Sequence, residues 1–152
     1  MQKLAEEIKT GQLKQVYILY GEETYLRSQY KDKLKKALLG DGDDMNFHYF
    51  EGKNISSGEV IDLAETMPFF AERRVIVLEN SGLFAKGGEE LAAYLGNPAQ
   101  TASFVFVEQS VDKRSKLYKA ATVKGRAIEF KAQDEAVLKR WILGFLKKEN
   151  KN

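Results

Sequence analysis

One glycine and two carboxylates, Gly21-Glu22-Glu23, follow directly on the apolar run Val16-Tyr17-Ile18-Leu19-Tyr20 and lead into a stretch of helical character. A nucleotide-binding α/β domain carries its phosphate loop at this position. Such a loop needs Gly-x-x-x-x-Gly-Lys-Ser/Thr, so that backbone N–H groups wrap the phosphates and the lysine offsets their charge. Here the second glycine and the lysine are missing, and Glu22 and Glu23 would repel a triphosphate. These residues describe a nucleotide-binding architecture around an empty site, with no nucleotide, metal or other cofactor expected.

The remaining reactive side chains give little more. Glu79 and Glu108 each close an apolar run, at the strand ends where a hydrolase holds magnesium or activates water. Without a phosphate-binding lysine they read as solvated strand ends. His48 is the only histidine and there is no cysteine. It therefore reads as a structural or surface residue, not a metal ligand or general base. Gly-x-Ser-x-Gly is absent, and no Ser–His–Asp set is readable. Arg114, in Asp112-Lys113-Arg114-Ser115, has the chemistry of an arginine finger only beside a nucleotide. Arg27, Lys31 and Lys35, with Lys33 and Lys36, form a basic ridge that could meet phosphates. Asp41, Asp43 and Asp44 follow closely, and the ridge reads as a solvated helix face.

A different chemistry, that of apolar contact, is concentrated in Thr66-Met67-Pro68-Phe69-Phe70-Ala71-Glu72-Arg73-Arg74. Three large apolar side chains surround a proline that breaks helical register. They cannot readily all point inward, so at least one phenylalanine is expected in solvent. Met67 continues the stripe Val60, Leu63, Ala64 and is expected to share the core. A protruding apolar knob with a polar rim is a partner-binding signature.

The elements that carry these residues alternate between strand and helix. Val16–Tyr20, Phe47–Glu51, Arg74–Glu79, Ser103–Glu108 and Arg126–Phe130 read as strands. The first is apolar on both faces, as a central parallel strand should be, and the second is more polar, as near an edge. Leu4–Thr10, ended by Gly11, reads as a short helix. Thr24–Leu39 carries the stripe Leu26, Tyr30, Leu34, Leu38. Ser56 and Glu59 form a capping box that starts a helix reaching toward Met67. Glu89–Leu95, Asp112–Ala121 and Asp134–Lys148 complete the set. The alternation predicts an α/β fold, a five-stranded parallel sheet with helices on both faces.

The 152 residues fit one domain, and 43% hydrophobic content supplies a core for it. A net charge of +2 gives little reason to expect strong phosphate-backbone binding. The absence of cysteine excludes disulfides and thiolate metal sites and fits a reducing compartment. The charged N-terminus and the lack of a long apolar run predict a cytoplasmic protein without membrane contact.

Taken together, Val16–Glu23, Met67–Arg74 and the stretch from Phe104 through Lys119 resemble the N-terminal domain of the delta subunit of bacterial DNA polymerase III, a clamp-loader subunit. The resemblance covers essentially the whole chain. It implies an AAA+ (P-loop NTPase-like) domain without a functional phosphate loop, over residues 1–132, and a helix over 133–152 leading toward a second domain absent here. It also implies a non-catalytic role in DNA replication, with Met67, Phe69 and Phe70 binding the sliding clamp so as to open it. Other loader subunits are implied as partners of a full-length chain, with DNA contact weak or indirect and this piece a monomer. Pro68 within the motif, and Phe69 where leucine is common, depart from the family pattern. Two readings from other classes stand beside this one: a degenerate nucleotide-binding enzyme using Glu79 and Glu108, and a nucleic-acid-binding module using the basic ridge.

Overall fold

A computed structural model describes residues 2–40 and 44–131. The five strands are β1 (Val16–Tyr20), β2 (Phe47–Glu51), β3 (Arg74–Glu79), β4 (Ala102–Glu108) and β5 (Gly125–Glu129). They form one parallel sheet in the order β2-β3-β4-β1-β5. The expected α/β architecture is therefore met, and it agrees with the AAA+-like reading. β1 lies between β4 and β5, and β2 is an edge strand, as its polarity suggested.

Parallel pairing needs helical crossovers, and those crossovers cover both faces of the sheet. Because side chains alternate along a strand, each apolar run feeds two cores. Tyr17, Leu19, Val75, Val77, Val105 and Val107 face one way. There they meet Leu4 of α1 (Gln2–Thr10) and Leu26, Tyr30, Leu34 and Leu38 of α2 (Thr24–Leu39). Val16, Ile18, Ile76, Leu78, Phe104 and Phe106 face the other way. They pack on α3 (Ser57–Ala64), α4 (Glu89–Tyr94) and α5 (Lys116–Lys124). Each fully buried side chain of this size is worth ~1.5–3 kcal/mol.

Local chemistry sets the helix ends. The Ser56 side chain accepts from the Glu59 N–H, as the capping box predicts. α3 stops at Ala64, short of Met67, where Glu65 and Thr66 N–H groups turn back onto Ile61 and Leu63. α5 begins later than expected: Asp112 folds onto the Arg114 backbone and guanidinium, and Ser115 caps the helix by accepting from Tyr118 N–H. Gly11 takes φ 78° after α1, and its N–H donates to Glu7. The expected final helix, Asp134–Lys148, lies outside the described residues. No helix among the described residues is long and apolar enough to cross a membrane.

Candidate functional site

The loop after β1 is closed by the protein itself. Gly21 adopts φ 129°, and its N–H donates to the Glu108 and Gln109 carbonyls (3.2 Å each). Phe130, just past β5, donates to Tyr20 O (2.7 Å) and accepts from Glu23 N–H (3.0 Å). The Arg27 guanidinium donates to the Gly21 carbonyl and to the Glu108 carbonyl (3.3 Å). Glu23 is the N-cap of α2 and accepts from Tyr25 N–H. Backbone donors that a phosphate would need at Gly21 and Glu23 are thus bonded to the protein.

Several side chains sit differently from the sequence expectation. Arg27 is buried beneath this loop and does not belong to a solvated ridge. Lys31 pairs with Glu79 at 3.3 Å, and Lys35 lies 3.8 Å from the Phe47 ring centroid. The supposed ridge is therefore partly spent on internal contacts. Glu79 also accepts from Tyr49 Oη (3.0 Å). Glu108 is buried, not solvated: it accepts from Ser81 N–H, Ser81 Oγ and Gly82 N–H at 3.0, 2.8 and 3.2 Å. Burial pushes its carboxyl above the usual range, opposed by those bonds. Both acids are spent on internal contacts: Glu108 holds the loop after β3 to the sheet, and Glu79 ties α2 and β2 to the end of β3. Arg114 folds back on Asp112, 3.2 Å away. No group of three metal-ligating side chains occurs among the described residues.

The apolar cluster after α3 is a built protrusion. Met67, Phe69 and Phe70 are 75%, 51% and 94% exposed. Met67 does not share the core, because α3 ends before its helical stripe could reach that far. The Phe69 and Phe70 rings meet edge to face, with centroids 4.6 Å apart. Phe70 holds φ 52°, a left-handed conformation costing a non-glycine residue on the order of 1–3 kcal/mol. The backbone leading into it is pinned as far as Phe69.

Two buried polar residues do the pinning. Asn46 lies in a 3-10 turn, Asp44–Asn46, leading into β2. Its Nδ2 donates to Phe69 O (2.8 Å), and its Oδ1 accepts from Phe69 N–H (2.6 Å). Arg74, at the start of β3, donates to Thr66 O (3.0 Å), to Met67 O (2.6 Å) and to His48 Nε2 (2.6 Å). Arginine has only donors, so His48 accepts as neutral imidazole with its proton on Nδ1. Burial, then the Arg74 charge, lowers the His48 pKa. Asn46 escaped the sequence reading because its partner is 23 residues away. The available signal for Arg74 was a charge opening an otherwise apolar strand.

The family described as DNA polymerase III, delta subunit, matches residues 17–133. The DNA polymerase III subunit delta of Bacillus subtilis (strain 168) is 30% identical over 128 residues, covering 76% of this chain and 37% of that protein. The solved structure of the Bacillus subtilis DNA clamp loader delta protein (YqeN) aligns with a TM-score of 0.81 at 25% identity, over 97% of this chain and 47% of that one. A DNA polymerase III gamma subunit-related protein of Thermotoga maritima aligns with a TM-score of 0.56 at 11% identity, over 87% and 47%. That last likeness is one of fold alone. The chain thus spans less than half the length of these relatives.

Proposed function

The chain belongs to the DNA polymerase III delta-subunit family, and from that premise we propose that it binds a bacterial sliding clamp through Met67, Phe69 and Phe70. In this reading it is a clamp-loader component without nucleotide chemistry of its own. The observation that carries the proposal is the exposure of three large apolar side chains on one short, braced loop. Soluble domains rarely leave such side chains together in water without a partner to cover them. Buried in a pocket, each anchor contributes ~1.5–3 kcal/mol, enough for a tight contact of small area. The edge-to-face ring pair and the pinned backbone reduce the ordering cost of binding.

Clamp opening follows from differential binding. A ligand shifts a two-state equilibrium only by its difference in affinity for the two states. The knob would therefore open a clamp by fitting its opened interface better than its closed one. No ATP hydrolysis by this domain is required for that step.

The test is co-elution of the purified chain with a bacterial sliding clamp at micromolar concentration, repeated with Phe70→Ala. Fluorophores placed across a clamp subunit interface then read opening. Failure to co-elute sinks the binding proposal. Binding without any change across the interface sinks the opening step.

A further inference from the structure

We propose that Asn46 and Arg74 are positioning residues for clamp binding: they touch no clamp surface themselves but hold the knob in its binding shape. This rests on the clamp-binding reading above and adds the device that prepares the knob. The argument begins with a conflict. A loop with two adjacent phenylalanines in water, one at φ 52°, has every reason to relax or collapse. Met67 and Phe70 are 75% and 94% exposed, so of the three side chains only Phe69, half-covered, can anchor the loop by packing. The polar restraints act on its backbone.

The brace has two arms. Asn46 is 1% exposed, and its amide exchanges both bonds with Phe69 N–H and C=O, so the side chain grips that residue's backbone as a neighbouring strand would. Arg74 is 6% exposed and holds the Thr66 and Met67 carbonyls with two of its guanidinium nitrogens. The third nitrogen donates to His48 Nε2, which fixes the guanidinium plane. One arm precedes Pro68 and the other follows it. Together they fix the backbone from Thr66 to Phe69, up to the residue before Phe70, and leave Met67 and Phe70 largely and Phe69 half in solvent. Buried amide and guanidinium groups of this kind are costly unless every bond is made. Their bonds are made to the backbone of the exposed loop, so losing the loop shape would strand them.

The experiment is a double-mutant cycle on clamp affinity in the 152-residue chain, with melting temperature measured alongside. Asn46→Ala is expected to weaken clamp binding at least tenfold in the wild-type background. In the Phe70→Ala background the same change should cost less than threefold, because the shape it protected no longer carries the ring. Equal losses in both backgrounds, or no loss in either, overturn the proposal. If Asn46→Ala does not fold, Arg74→Lys decides through the same cycle, since lysine keeps the charge but cannot span both carbonyls and His48. Hydrogen exchange of the Phe69 amide in the free chain reads the brace without any clamp. Slow exchange that becomes fast in Asn46→Ala supports it, and fast exchange in the wild type overturns it. A chain with a protected Phe69 amide whose Phe70→Ala variant binds clamp normally would retain the brace and lose only the clamp-binding reading.

Discussion

Phe130 fills the space beside Gly21. A β-carbon at position 21 would lie 2.7 and 2.8 Å from the Phe130 carbonyl carbon and nitrogen, and nearer still to its oxygen. The glycine is required by this close approach and by φ 129° together. The turn that opens a phosphate site in a nucleotide-binding domain is here sealed against the end of β5.

Gly21→Ala is accordingly expected to destabilise the fold by ~2–4 kcal/mol, combining backbone strain with overpacking. Urea denaturation checks this. Glu22→Ala, one residue later and exposed, is the control and should stay within ~0.5 kcal/mol.

Nucleotide binding is expected to be absent. The Gly21 and Glu23 N–H groups are bonded to protein carbonyls, and Glu22 and Glu23 add negative charge where phosphates would sit. Isothermal calorimetry with millimolar Mg-ATP should give no saturable heat. Saturable binding that disappears when loop residues are changed would defeat the closed-loop reading.

Alanine at the knob should separate binding from stability. Phe70→Ala is expected to cost ~2 kcal/mol or more of clamp affinity, as hot-spot anchors do, with stability changed by no more than ~0.5 kcal/mol. Met67→Ala should behave similarly, since Met67 is 75% exposed. Phe69→Ala should affect both, its ring being only half in solvent. Paired melting temperatures and clamp affinities on the three variants decide the matter. Sharp losses of stability in all three, or no loss of affinity in any, would remove the knob from its role.

Acid should loosen the His48–Arg74 contact. The folded His48 pKa lies below its ordinary 6.5, first through burial and then through Arg74. Its neutral form is thus favoured by folding. The stability it contributes is fully present above about pH 6.5 and is lost as pH falls through the lower folded value. Denaturation midpoints between pH 7.5 and about 5 should decline in the wild type. His48→Gln, whose amide oxygen can accept from Arg74 without titrating, should flatten that part of the profile. An unchanged slope would show that other groups set it.

The sequence by itself determined the α/β class, the alternation of strands and helices, and the missing phosphate-loop chemistry. These depend on local signals: continuous apolar runs such as Val75–Leu78, the stripe Leu26, Tyr30, Leu34, Leu38, and the Ser56 cap are all read over a few residues. Pro68 likewise foretold that the apolar cluster could not turn wholly inward. Tertiary structure alone decided the rest, because the deciding partners are distant in the chain. Arg27 and Glu108 are 81 residues apart and become buried through each other's neighbourhood. Asn46 reaches Phe69, and Phe130 closes on Gly21, only once the order β2-β3-β4-β1-β5 has brought those strand ends into place. Met67 shows the same limit at short range. Its helical spacing pointed to the core, but the backbone left the helix at Ala64, and Arg74 took hold of the Met67 carbonyl from the next strand.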